Sequence, residues 1–201
     1  MVIHESQVPP EIAALPREKA IRIGADAGFT VHLAGKHAVP TRSGDPTIRA
    51  EISALLKRYP AEDVLVFLTL QRHIGSDRQP DLKEARASYH AFYRDYLAKS
   101  GFPEQKGWSN WEGFLDAYRH VTGHTLTTRT WDRDLASPIH NKGRLSEMAR
   151  VANAFRDGHL VGTIRNVLST NDRILVTFGS WHLLSLELVL EDELFPASTN
   201  P

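Results

Sequence analysis

"RILVTFGSWHLLSLELVL", Arg173–Leu190, decides the fold. Its apolar run stops at Gly179, places His182 three positions later, and resumes with a helical period. An unbroken apolar run closed by small residues is how a strand of a parallel sheet finishes, because both of its faces are covered. His182 then falls just past the carboxyl end of that strand, the rim at which open α/β sheets bind ligands. Upstream, Leu145–Thr170 keeps Leu145, Met148, Ala152, Phe155, Val161, Ile164 and Leu168 near one helical stripe. "LLSLELVLEDEL" reads as an amphipathic helix after the strand. Helix, strand, turn and helix form the repeating unit of a parallel α/β sheet.

At the other end, "VIHES" (2–6) reads as a short strand, followed by a helix over Pro9–Gly28 that Pro16 divides. Ile12, Leu15, Ala20, Ile23 and Ala27 mark its apolar face, and Gly28 marks its stop. "FTVHLA" (29–34) is a second strand candidate, and "GKHAVPTRSGDP" (35–46) a loop. Helical spacing returns from Thr47 to Tyr59, with Asp45 as a cap. "DVLVFLTLQRHI" (63–74) fits a buried strand or a buried helix equally well. Helices over Asp81–Lys99 and Asn110–Gly123 form an inserted layer. "TLTTRTWDRDLASPIHNKG" (125–143) reads as a loop forming part of a lid. The expected fold is α/β, a mainly parallel sheet flanked by helices, in a single domain over residues 1–195, with a helical insertion at about 80–125 and a disordered tail at 196–201.

With 24 basic and 24 acidic residues, overall charge favours neither nucleic acid nor an acidic membrane. Absence of cysteine removes disulfides, thiolate nucleophiles and Cys-type zinc sites together. No apolar run reaches the length of a transmembrane helix and no leader pattern opens the chain, so the cytoplasm is the expected compartment. Neither a glycine-rich phosphate loop nor a G-x-S-x-G elbow is present.

A parallel sheet brings three groups together: His4 and Glu5 after the first strand, Arg156, Asp157 and His159 on the long helix, and His182. Arg156 and His159 share a helix face, whereas Asp157 points about 100° away. A guanidinium there binds an anion or holds Glu5 ionised, and a histidine serves as general base or metal ligand. His182, Glu5 and Arg156 are the catalytic candidates, with His182 and Glu5 also candidate ligands of a divalent metal ion. His159, His4 and Arg72 are candidates for substrate contact. His32 and His37 read as loop histidines. His120 and His124 have a metal-pair spacing that Gly123 interrupts, and Trp108, Trp111, Phe114 and Tyr118 read as packing.

"FRDGHLVGTIRNVLSTNDRILVTFGSWHLLSLE" resembles the superfamily of TraB/PrgY, Tiki, ChaN-like and erythromycin-esterase-like proteins. There an Arg-Asp/Asn-x-x-Met helix precedes a strand ending in G-x-x-H, matched here by Arg156, Asp157 and Leu160, then by Gly179 and His182. "VIHES" looks like that family's second strand, with Glu5 as its carboxylate. The family's first strand and its Gly-Glu-x-His motif have no counterpart upstream of Val2, and Leu160 replaces the common methionine; a truncated or degenerate relative is the expectation. The resemblance implies a metal-assisted hydrolase acting on a small-molecule ester or a peptide. Its alternative is an inactive binding or scaffold protein, for haem or another small ligand, in one form a homodimer covering an unpaired sheet edge.

Overall fold

The computed structural model describes residues 1–75, 80–179, 182, 186, 187, 189 and 190. It is an α/β protein with a parallel sheet flanked by helices. β1 (Val2–His4) is the middle strand, with β2 (Thr41–Ser43) and β3 (Leu175–Thr177) on either side in the order β2-β1-β3. Ile3 lies opposite Arg42 on one side and Val176 on the other. Being central, all three β1 residues are buried, which is why "VIH" shows no alternation.

α1 (Arg17–Lys36) follows a single 3₁₀ turn at Pro10–Ala14, with Pro16 at its N-cap. It runs straight through "FTVHLA", which is therefore helix and not strand. Phe, Thr and Val favour strands locally, but Ala27, Val31 and Ala34 recur at helical spacing and are buried, and that packing prevails. His32 is consequently buried within α1, and only His37 beyond its end is exposed. Gly28 does not stop the helix. α1 instead kinks at Ala25 (φ 46°, ψ −131°), and a Cβ on Gly28 would stand 2.3 Å from the Ala20 carbonyl oxygen. Ile23 is 54% exposed, off the expected apolar face. β2 lies inside the stretch expected to be loop.

The chain divides into two compact units, residues 1–47 with 155–201, and residues 48–154. The second is helical throughout its described elements, a broader block than the 80–125 layer. α2 (Ile48–Leu56) leads to α3 (Ala61–Leu68), which continues as a π-helical turn to Ile74 and settles "DVLVFLTLQRHI" as helix. α4 (Leu82–Phe92) is capped by Asp81, whose carboxylate accepts from the amides of Lys83 and Glu84 at 2.9 and 3.0 Å. α5 (Trp111–Thr122) ends at Gly123, left-handed at φ 75°. Trp108, Trp111, Phe114 and Tyr118 are buried in this core with Tyr89 and Phe67. Residues 125–143 do not form a free lid: Leu126 is buried in the same core, and Trp131 and Leu135 pack on it.

α6 (Arg144–Leu168) serves both units. Leu145, Met148, Ala149 and Ala152 join the helical core, while Leu160, Val161, Ile164 and Val167 join Ile3 and Leu186 beside the sheet. His182, Leu186, Glu187, Val189 and Leu190 are helical. The remainder of the expected last helix and the 196–201 tail lie outside the described residues.

Candidate functional site

β1 ends at His4, so Glu5 emerges at the carboxyl rim of the sheet, where its amide donates to the Thr177 carbonyl at 3.0 Å. Gly179, just beyond β3, donates its amide to Glu5 Oε2 at 2.8 Å. The small-residue turn that marked the end of the strand in the sequence thus ties the carboxylate down. Arg156 Nη2 donates to Glu5 Oε1 at 2.8 Å and to Asp45 Oδ2 at 3.0 Å, and Nε donates to Asp45 Oδ1 at 3.0 Å. One guanidinium therefore clamps one carboxylate in bidentate fashion and a second through a shared nitrogen. Its side chain is 12% exposed. Burial disfavours the charge, but the hydrogen bonds and proximity of Asp45 and then Glu5 outweigh it and raise the Arg156 pKa above its already high value.

Asp45 also accepts the Ser6 amide at 2.9 Å. Ser6 adopts φ 72°, a left-handed conformation that costs a non-glycine residue about 1–3 kcal/mol and that this network holds in place.

One position further along α6, Asp157 Oδ1 is hydrogen-bonded to Nδ1 of His182. A carboxylate accepts, so Nδ1 is the donor in this pair. Nε2 lies 3.8 Å from Glu5 Oε1. His182 is 6% exposed, and its ring meets Phe178 edge-on with centroids 5.5 Å apart. Among the candidates from sequence, Glu5, Arg156 and His182 are thus brought together.

The other three are not part of that line. His159 Nδ1 is paired with the Gly44 carbonyl at 2.8 Å, and His4 is buried with Nδ1 3.1 Å from the Glu5 carbonyl. Arg72 belongs to the helical unit, where its guanidinium pairs with buried Glu51 at 3.1 Å. Asp45 was read only as a helix cap, and Asp157, though placed in the converging group, was given no role because it was read as pointing about 100° away. The available signal for Asp157 was its place beside Arg156, one residue around the helix from a group already assigned to the rim.

Two cavities flank the cluster. One of about 640 Å³ is lined by Glu5, Ser6, Gly24–Ala27 around the α1 kink, and Gly179. The other, about 690 Å³, is largely aliphatic and includes His182 in its wall. Val176 and Phe178 border both.

Metal coordination finds little footing in this donor set. Both Glu5 oxygens accept hydrogen bonds, one of them from a guanidinium whose charge opposes a cation. Among the described residues no group of three His, Asp or Glu side chains has metal-ligand spacing. No helix of the described residues is long and apolar enough to cross a membrane. No protein-family model, curated protein or solved structure matches the chain.

Proposed function

We propose that the chain is a hydrolase of esters or peptides in which His182 activates water. The observation that carries this reading is the Asp157–His182–Glu5 line, with Nδ1 of His182 on the Asp157 carboxylate and Nε2 3.8 Å from a carboxylate oxygen of Glu5. A water seated against both groups loses a proton to Nε2 as its oxygen bonds to the substrate carbonyl carbon. When the acyl bond to the leaving group breaks, His182 returns that proton to the departing oxygen or nitrogen. Asp157 holds the ring in the required tautomer and stabilises the imidazolium between the two transfers. Arg156 acts here by orienting Glu5. The resemblance to TraB-, Tiki- and erythromycin-esterase-like proteins supports the same reaction class, although in that family reading Glu5 and His182 would hold a divalent metal. With the guanidinium on Glu5, no step is routed through one.

The purified chain is expected to hydrolyse p-nitrophenyl acetate or a quenched peptide pool above blank, insensitively to chelator. His182→Ala is expected to lose about 10²–10⁴-fold. No turnover by the wild type, or full turnover by the variant, would overturn the proposal. Elemental analysis showing a stoichiometric metal whose removal abolishes turnover would return the ion to the mechanism.

One observation favours a second reading. Glu5, Asp45 and Arg156 satisfy one another so fully that they also serve as a clasp holding the rim together without chemistry. A binding protein of that kind, for haem with His182 at the iron, predicts a Soret band on titration with haem. A homodimer paired through exposed Leu175 and Val176 on β3 predicts twice the monomer mass in solution.

A further inference from the structure

We infer that the 690 Å³ aliphatic cavity binds one single-chain lipid with a zwitterionic head, an anion beside a cation as in a lysophospholipid. The inference goes beyond the hydrolase reading and needs no chemistry at the rim. All of the residues that line the cavity belong to the unit that holds the sheet.

Three walls meet there. Leu160, Ile164 and Leu168 stand four apart on α6, and His182, Leu186 and Leu190 repeat that spacing on the helical residues after β3. Ile174, Val176 and Phe178 alternate along β3 and its flanks. A spacing of four on a helix, or of two on a strand, keeps side chains on one face, so each wall is one continuous stripe. Along α6 the stripe rises about 12 Å from Leu160 to Leu168. Stripes of that kind match an extended alkyl chain, and the volume is in the range of small-ligand sites. Val176 is 37% exposed on an edge strand, which opens the cavity to solvent along β3.

The two ends differ. A Cβ on Gly44 would meet Phe178 Cζ at 2.6 Å and Leu160 Cδ1 at 2.7 Å, which sets those two side chains together at the carboxyl end of β3. Asp172 and Arg173 lie at the opposite end, in the turn that leads from α6 into β3, and they are the only acidic and basic side chains of the lining besides the His182 imidazole. Both are exposed, and among the described residues neither side chain has a hydrogen bond or an ion pair, even with the other. A fatty acid would meet Arg173 but set its carboxylate against Asp172, and an alkylammonium ion would do the reverse. A head that carries both charges satisfies both residues, while its chain follows the stripes toward Phe178.

The test is calorimetric titration of the full chain with dodecylphosphocholine, dodecanoate, dodecyltrimethylammonium and dodecyl maltoside, each below its micelle concentration. Dodecylphosphocholine is expected to bind tightest, and from octyl upward its affinity is expected to rise about fourfold per methylene until the cavity is filled. Arg173→Gln is expected to bring it down to the level of the trimethylammonium compound and Asp172→Asn to that of dodecanoate, each a fall of about two- to fivefold, the scale of an exposed charge pair. Both residues are exposed, so these variants keep the fold. Leu168→Trp and, separately, Leu190→Trp, both at half-buried positions, are expected to weaken all four compounds at least tenfold. Equal affinity for the four heads, tighter binding of dodecanoate, or binding that both tryptophans leave unchanged would overturn the inference. So would binding to phosphatidylcholine vesicles without binding of the monomeric amphiphile, which assigns the face to a membrane. A doubled mass in solution with all four compounds inert assigns it to a second copy and likewise overturns the inference. Binding as expected without turnover of any ester removes the hydrolase and keeps the lipid site.

Discussion

Arg156 and Asp157 are neighbours in sequence yet hold different groups of the site, since consecutive helix positions diverge by about 100°. Arg156 reaches Glu5 and Asp45; Asp157 reaches His182. Asp157→Asn keeps the side-chain shape but offers an amide that imposes the wrong tautomer on His182, and kcat in ester hydrolysis is expected to fall about 10²–10⁴-fold with KM little changed. Asp45→Ala acts differently. It strips two of the three guanidinium hydrogen bonds from a buried arginine and leaves the Ser6 amide without its carboxylate, at a cost of about 3–5 kcal/mol in urea unfolding. Glu5, Arg156 and His182 were legible because each sits where a parallel sheet must deliver it: after a strand, or on the helix that precedes one. Asp45 was not, because a lone aspartate before Pro46 has the same local pattern whether it caps the next helix or reaches a distant guanidinium.

Among the elements, α1 and α6 make opposite demands on glycine. Gly28→Ala places a methyl against the Ala20 carbonyl at the kink, so destabilisation of about 1–3 kcal/mol is expected in thermal unfolding. Gly162→Ala, in the body of α6 with open space around its Cβ, is expected to stabilise by about 0.5–1 kcal/mol in the same assay. The 125–143 segment depends on pH through Asp132. Partial burial works against its ionisation, but the hydrogen bonds from Lys142 (2.7 Å) and the Asp134 amide (3.0 Å) prevail and lower its pKa. A carboxylate depressed in the folded state stabilises above its unfolded pKa of about 3.9, and that contribution disappears as pH falls through the folded value. Hydrogen exchange in this segment, corrected for intrinsic rate, is therefore expected to quicken below about pH 4 in the wild type, and Lys142→Ala is expected to weaken the dependence, the Asp134 amide remaining. β3 and α6 were readable from an apolar run and a sustained stripe, but the run did not come from two covered faces: β3 is an edge strand with Leu175 and Val176 exposed. β2 was hidden because "TRS" carries no apolar residue, its place being dictated by β1 beside it, and "FTVHLA" misled because local strand propensity and helical burial conflict there.

At the level of the molecule, each unit keeps its own apolar centre. Phe114 is fully buried among Tyr89, Trp111 and Tyr118. Phe114→Ala is expected to cost the helical unit about 3–5 kcal/mol, read by hydrogen exchange as faster opening across 48–154 with the amides of β1, β2 and β3 much less affected. The parallel α/β class was visible in the last third of the chain alone, whereas the extent of the helical unit was not, because an apolar run such as "VLVFL" has no period until it is packed.

α6 also sets a rule for dissecting this gene. Since this one helix donates residues to both centres, any truncation that excises 48–154 amputates nearly half of it, and either fragment inherits a raw hydrophobic stump. A graft that transplants the rim into another scaffold must carry the helix's second half along with it, and an insertion intended to make the two pieces modular belongs in a surface loop rather than near Ala154.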